Sequence, residues 1–207
     1  MSSSKEQPAT FQKCEECQAV RHLSRRVVLK SALSIGLGLQ FVTLAIADTD
    51  DPKKSRPQVG DFFVFSLGER QGQIITPQDV PLGGPPVVAY PVEEKTHTVR
   101  DGSRLNQVLL LHFPPEEFSE QTRAATAGGI VGYSAVCTHT GCNVAGWKED
   151  TKQMLCPCHA STFDPKDRAK VVSGPAPRPL AVLPLQIVDG KLVVAGVFSG
   201  RVGAEQK

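Results

Sequence analysis

The sequence predicts a mostly β protein, and three observations carry that prediction. Its 207 residues include 16 Pro and 18 Gly, spaced so that the apolar runs stay short and are bounded by turn formers. Those runs are rich in branched and aromatic side chains, which suit a pleated, half-buried surface. Near the C-terminal end, Asp189-Gly190 separates two such runs, and Asp-Gly tolerates the positive φ of a type I′ turn between antiparallel strands.

In chain order, the first strand is expected at Phe62 to Ser66, the second at Pro86 to Tyr90 and the third at Val108 to Phe113. Ile130 to Val136 is the fourth and runs directly into Cys137. Leu180 to Val188 and Lys191 to Val197 form the hairpin around Asp189-Gly190. The clearest helix candidate is Pro115 to Ala127, where Glu116 and Glu117 fall in a first turn that favours negative charge. Val99 to Asn106 reads as a surface loop turning at Arg100-Asp101-Gly102. Residues 48–56 form a polar linker and 201–207 a tail. There is no internal repeat, and a chain of this length buries a core without needing covalent staples.

The N-terminal 47 residues are read as an address rather than part of the fold. Ser24-Arg25-Arg26-Val27-Val28-Leu29-Lys30 resembles a twin-arginine export signal, with Val28 where Phe is usual. An uncharged run of 17 residues, Ser31 to Ala47, follows and ends in the small-x-small triplet Ala45-Ile46-Ala47. The run is shorter than the ~20 residues that span the hydrocarbon core comfortably, so cleavage is favoured, with a retained membrane anchor as the alternative. That places the rest of the chain in the periplasm, free or anchored at the inner membrane. Cys14 and Cys17 precede the paired arginines and fall outside the exported part. Residues 1–47 hold six of the 23 basic and three of the 21 acidic residues, leaving 17 against 18. A domain so close to neutral, with no basic stripe, is not expected to bind nucleic acid.

The chemistry lies in two short segments. Cys137 and His139 form Cys-x-His; after sixteen residues Cys156 and His159 form Cys-x-x-His, and Cys142 and Cys158 stand in the same loops. Two thiolates and two imidazoles, one of each per loop, suit a two-iron cluster with cysteines on one iron and histidines on the other. A structural zinc site also takes two Cys and two His, but zinc fingers group their cysteines on one knuckle, and Cys142 and Cys158 would go unused. A disulfide scaffold is the remaining alternative, poorly matched to six cysteines in a chain of this length.

Cys137-Thr138-His139-Thr140-Gly141-Cys142 and Cys156-Pro157-Cys158-His159-Ala160-Ser161 resemble the Rieske iron-sulfur family, specifically over about residues 128 to 195. The resemblance implies an antiparallel β base, within a Rieske domain of residues 57–200, and an inserted cluster-binding subdomain at about 131–177. It implies one [2Fe-2S] cluster per chain, held by Cys137, His139, Cys156 and His159. It also implies a Cys142–Cys158 disulfide of the kind found in respiratory members, and a proline loop, Gly174-Pro175-Ala176-Pro177, covering the cluster. Ser161 matches a hydroxyl that donates towards sulfur. Phe163 departs from high-potential members, which carry a Tyr there that hydrogen-bonds a cysteine sulfur. Thr140 departs from the Leu common at the quinol-facing tip.

What the resemblance implies for function is one-electron transfer as the Rieske subunit of a quinol-oxidising cytochrome bc-type complex, with cytochrome b and a c-type cytochrome as partners. The alternative is the small Rieske subunit of a periplasmic molybdenum oxidase of the arsenite oxidase type, paired with a molybdopterin large subunit, or a soluble carrier. A ring-hydroxylating oxygenase is not expected, since it would need a further mononuclear-iron domain and 48 residues follow His159. His97 and His112 lack neighbouring cysteines and are given no role, and Trp147 is read as packing.

Overall fold

The computed structural model describes residues 51–205. The twin-arginine segment, its apolar run and the Cys14/Cys17 pair lie outside the described residues, within which no helix is long and apolar enough to cross a membrane.

Two antiparallel sheets make up the described chain. The larger takes β1 (Phe62–Phe65), β2 (Val87–Val92), β3 (Val108–His112), β4 (Ile130–Ser134), β9 (Val182–Leu183), β10 (Leu185–Val188) and β11 (Lys191–Val194), in the order β10-β11-β1-β2-β3-β4-β9. The smaller is a meander of β5 (Gly146–Lys148), β6 (Gln153–Cys156), β7 (Ser161–Asp164) and β8 (Lys170–Ser173). The side-chain alternation of β3 shows how the two are joined. Val108 and Leu110 enter a core with Phe63, Ala89 and Leu192. Leu109 and Leu111 enter a second core with Tyr133, Met154, Phe163 and the two cysteines Cys137 and Cys156. Because both faces of β3 are covered, its sequence is a continuous apolar run rather than an alternating one.

The expected strands of the larger sheet form within two residues of their expected places, except that the last ends three residues early at Val194 and another is divided. Leu180 to Val188 breaks at Pro184, which has no N–H to give a ladder, so β9 pairs with β4 while β10 pairs with β11. The β10–β11 hairpin closes over Asp189 at φ 49° and Gly190 at φ 75°, both in the left-handed region the type I′ turn requires.

The helix expected over Pro115 to Ala127 does not form as one piece. A 3₁₀ turn covers Pro115–Glu117, and a single α turn, α1, covers Glu120–Arg123. Phe118 between them is extended because its side chain is drawn into the core, edge-on to Phe113 at 5.9 Å. Ser119 then caps α1, its hydroxyl accepting from the Thr122 N–H.

The smaller sheet begins later than the expected subdomain boundary at 131. β4 is hydrogen-bonded between β3 and β9 in the larger sheet, and only after Ser134 does the chain leave it. Its four strands, three or four residues long, carry no clear alternation of apolar and polar residues in the sequence.

The segment Val99 to Asn106 holds the start of the described chain in place. Arg100 is buried and grips the buried Asp61 with two hydrogen bonds, Nε to Oδ2 at 2.6 Å and an Nη to Oδ1 at 3.0 Å. Its guanidinium also donates to the Pro52 carbonyl, and Asn106 donates to the Ser55 carbonyl at 2.8 Å. Residues 51–56 of the linker are therefore packed on the larger sheet. Replacing Arg100 with Ala strands a buried carboxylate, so Arg100→Ala should lower unfolding stability in urea by about 3–5 kcal/mol. The Asp61→Ala/Arg100→Ala pair should lose less than the sum of the two single changes.

Candidate metal centre

The two motif segments form two loops closed by their own backbones. In the first, the Cys137 N–H donates to the Cys142 carbonyl at 2.8 Å and the Gly141 N–H to the Cys137 carbonyl at 3.1 Å, with Gly141 at φ 79°. The second is the β6–β7 hairpin loop, since Cys156 ends β6 and pairs with Ser161 at the start of β7. Both cysteines sit where a loop leaves the sheet and are buried, at 1% exposure each. The histidines lie further out, His139 half-buried and His159 exposed.

A Cys142–Cys158 disulfide joins the loops, with Cα atoms 6.6 Å apart, as the resemblance implied. The Cys156 sulfur lies within 4.8 Å of both disulfide sulfurs, but these are tied to one another, so Cys156 is the donor of that trio open to a metal. Cys137 and Cys156 are the free thiols among the described residues. Burial pushes the Cys137 thiol up and the adjacent Cys156 thiol adds to this, while the His139 N–H and the Ser161 hydroxyl act in the opposite direction. Two buried thiols side by side suit a metal ion, which binds sulfur as thiolate.

The imidazoles of His139 and His159 meet edge to face, ring centroids 4.6 Å apart. His139 Nδ1 is buried with no hydrogen-bond partner, which is costly for a ring nitrogen unless something outside the protein takes it up. Paired buried thiols, paired imidazoles and an orphaned nitrogen fit a metal cluster with one sulfur-rich and one nitrogen-rich side.

A family model for the Rieske [2Fe-2S] domain matches residues 76–184, more than half of the chain. The chain belongs to the Rieske family. The cofactor of this domain is a [2Fe-2S] cluster. Among curated relatives, a Haloferax mediterranei protein described as a respiratory nitrate reductase Rieske subunit is 38% identical over 106 residues, 50% of this chain and 47% of that protein. A cytochrome bc1 complex Rieske iron-sulfur subunit of Streptomyces lividans is 33% identical over 133 residues, 62% of this chain and 78% of that protein. The chain thus spans about half of the first relative and more than three quarters of the second. Among solved structures, the soluble domain of Rieske protein II from Sulfolobus acidocaldarius aligns at a TM-score of 0.35 and 25% identity, over 46% of this chain and 66% of that one.

Around the centre of this Rieske domain, the proline loop touches Ser161 directly. The Ala176 N–H donates to Ser161 Oγ at 3.1 Å, which leaves the hydroxyl proton free to point at the Cys137 sulfur. Gly174, at φ 89°, packs so closely that a Cβ there would lie 2.5 Å from Ser161 Cα, so only glycine lets the loop close. Pro175 stands exposed beside it. The tip residue Thr140 is exposed, its hydroxyl 3.7 Å from the Cys142 sulfur.

Three supporting residues escaped the sequence reading. Thr138, between two motif residues, donates to the Arg178 carbonyl at 2.6 Å and ties the first loop to the end of the proline loop. The Arg178 side chain in turn donates to the Arg201 and Gly203 carbonyls, which holds the first part of the tail, 201–203, against the domain. Tyr133 on β4 is fully buried and donates to the Pro165 carbonyl at 2.7 Å, joining the two sheets, and burial raises its phenol far above the usual range. A buried Tyr needs a partner for its hydroxyl, a legible signal; the roles of Thr138 and Arg178 are set by contacts across 40 and about 25 residues of chain. The Val80 carbonyl oxygen, 3.2 Å from His112 Nδ1, accepts from that ring nitrogen, and Trp147 packs under Gly84 and beside Phe113, consistent with structural roles.

Phe163 is fully buried in the core that contains Cys137 and Cys156. Phe163→Tyr should place a phenol among these sulfurs and stabilise the reduced state more than the oxidised one. A differential of about 1 kcal/mol, ordinary for a hydrogen bond to a charged acceptor, corresponds to roughly 40 mV for a one-electron couple. Protein-film voltammetry should show the midpoint rising by tens of millivolts, and an unchanged or lowered value would remove Phe163 from the tuning position.

Proposed function

We propose that this chain is an exported one-electron carrier, the Rieske subunit of a quinol-oxidising cytochrome bc-type complex. The observation that carries the reading is the Cys142–Cys158 disulfide holding the two motif loops face to face. The relative from Streptomyces lividans, named as a bc1 complex Rieske subunit, supports it. Cys137, His139, Cys156 and His159 hold the cluster, which when bound supplies reversible one-electron chemistry.

Each part of the chain has its task in that reading. The buried cysteines keep the sulfur side dry, and the proline loop, seated through Gly174 and Ala176 on Ser161, keeps water from a second direction. The exposed His159 and half-buried His139 turn the nitrogen side to the surface, where an electron donor or acceptor approaches. The domain works at the outer face of the inner membrane, brought there by the Arg25-Arg26 segment, with cytochrome b and a c-type cytochrome as partners.

Two observations favour a second reading, in which the chain is the Rieske subunit of a different periplasmic oxidoreductase, such as a molybdenum oxidase, or a soluble carrier. One is the exposed polar Thr140 at the loop tip. The other is the Haloferax mediterranei relative, described as belonging to a nitrate reductase. The experiment that separates them is deletion of the coding gene in its host, followed by assay of quinol-dependent cytochrome c reduction in membranes. Loss of that activity, restored by the intact gene, is expected. Undiminished reduction, together with loss of a molybdenum-dependent periplasmic activity, would transfer the chain to the second reading.

A further inference from the structure

Beside the first motif loop lies a cleft of about 350 Å³ whose charge the centre itself does not use. Arg56, Arg104 and Arg201 line it, together with Leu105, Thr140 and Gly141. No carboxylate lines it, and none of the three guanidinium groups enters an ion pair among the described residues. Counted over residues 51–205, Lys and Arg equal Asp and Glu at sixteen each, so this is a local concentration of positive charge on a neutral domain. The next carboxylate along the chain, Glu205, follows Ala204 at the rim and is exposed.

The walls of the cleft are fixed. Arg56 donates to the Leu105 carbonyl at 3.0 Å. Arg178 holds the Arg201 and Gly203 carbonyls, and Gly203, at φ 74°, is buried against Val136 and Leu105 so closely that a Cβ would press on both. Through its own carbonyl Arg178 also receives the Thr138 hydroxyl, so the cleft and the motif loop share one hydrogen-bonded frame. Three cations are thus presented from ordered backbone next to the residue that follows His139. A guanidinium presents donors in a fork that matches carboxylates, and like charges grouped at one rim steer an oppositely charged surface during encounter.

We propose that this cleft is the docking site for an acidic patch on the redox partner protein, which it orients with its acceptor group against the imidazole edge of the centre. The proposal rests on the electron-carrier reading. Carboxylates of the partner pair with Arg104 and Arg201, and Thr140 supplies a small polar contact at the seam. Charge complementarity of this kind acts mainly on the association rate and is screened by salt.

The test uses the cluster-loaded, reduced full-length protein and two forms of one acceptor: native basic cytochrome c and cytochrome c whose lysines have been succinylated to make it acidic. At low ionic strength stopped-flow oxidation by the succinylated form should be about tenfold faster than by the native form, and the advantage should vanish in high salt. Arg104→Gln/Arg201→Gln should abolish the difference, while Lys95→Gln/Lys191→Gln, which removes equal charge elsewhere, should keep it. Calorimetry should show salt-sensitive binding of succinylated cytochrome c to the wild type and not to the arginine variant. Equal rates for the two cytochromes, or a difference the arginine variant retains, would overturn the cleft proposal alone. Arginine-dependent binding to phosphatidylglycerol vesicles without discrimination between the cytochromes would overturn it in favour of a membrane contact. Protein that holds iron but passes electrons to neither acceptor would overturn the carrier reading and the docking proposal with it.

Discussion

The two motif loops each carry one free cysteine and one histidine and face one another, and neither loop can set the other's position by local hydrogen bonding. The Cys142–Cys158 bridge supplies that missing constraint, spanning 16 residues and tying the tip of one loop to the tip of the other. Closing a loop of this length disfavours the unfolded chain by about 3 kcal/mol on the chain-entropy account. Its more specific effect is geometric, because the cysteines at the loop bases are already fixed by β4 and β6 and only the outer, histidine-bearing parts needed tying. The proline loop adds a third side, and Thr138 with Arg178 joins that loop to the first.

The result is a gradient of burial across the centre. Cys137 and Cys156 sit in the same core as Leu109, Tyr133 and Phe163, whereas His159 is exposed. The sulfur side is kept from water while the imidazole side meets the surface. Such a layout suits a carrier that exchanges electrons with other proteins over its nitrogen side. The larger sheet stabilises this arrangement at a distance: its β3 packs one face against a core of its own and the other against the core that holds the cysteines.

Much of this was legible in the sequence, and for identifiable reasons. The larger sheet follows from branched and aromatic runs and from Asp189-Gly190, whose turn chemistry is local. The two motif loops follow from the spacing of Cys137, His139, Cys156 and His159, and the structure sets the two histidine rings against each other and both cysteines in one core. The strands of the smaller sheet were not legible, because Gly146–Lys148 is short and half-buried and Lys170–Ser173 short and mostly exposed, so no period develops. The helix over Pro115 to Ala127 failed because a tertiary contact, Phe118 on Phe113, overrode a run of good helix formers. The Asp61–Arg100 pair was missed since its partners lie 39 residues apart and each looks like a surface charge when read alone.

Paired buried cysteines and paired histidines predict mixed ligation, two thiolates on one side and two imidazoles on the other. Mössbauer spectroscopy of iron-57-loaded protein, in the oxidised and one-electron-reduced states, tests it most directly. Two inequivalent iron sites are expected, with the added electron localised on the iron that has nitrogen ligands. Two oxidised irons with matching parameters, as an all-cysteine cluster gives, or a zinc-loaded protein devoid of iron, would contradict it.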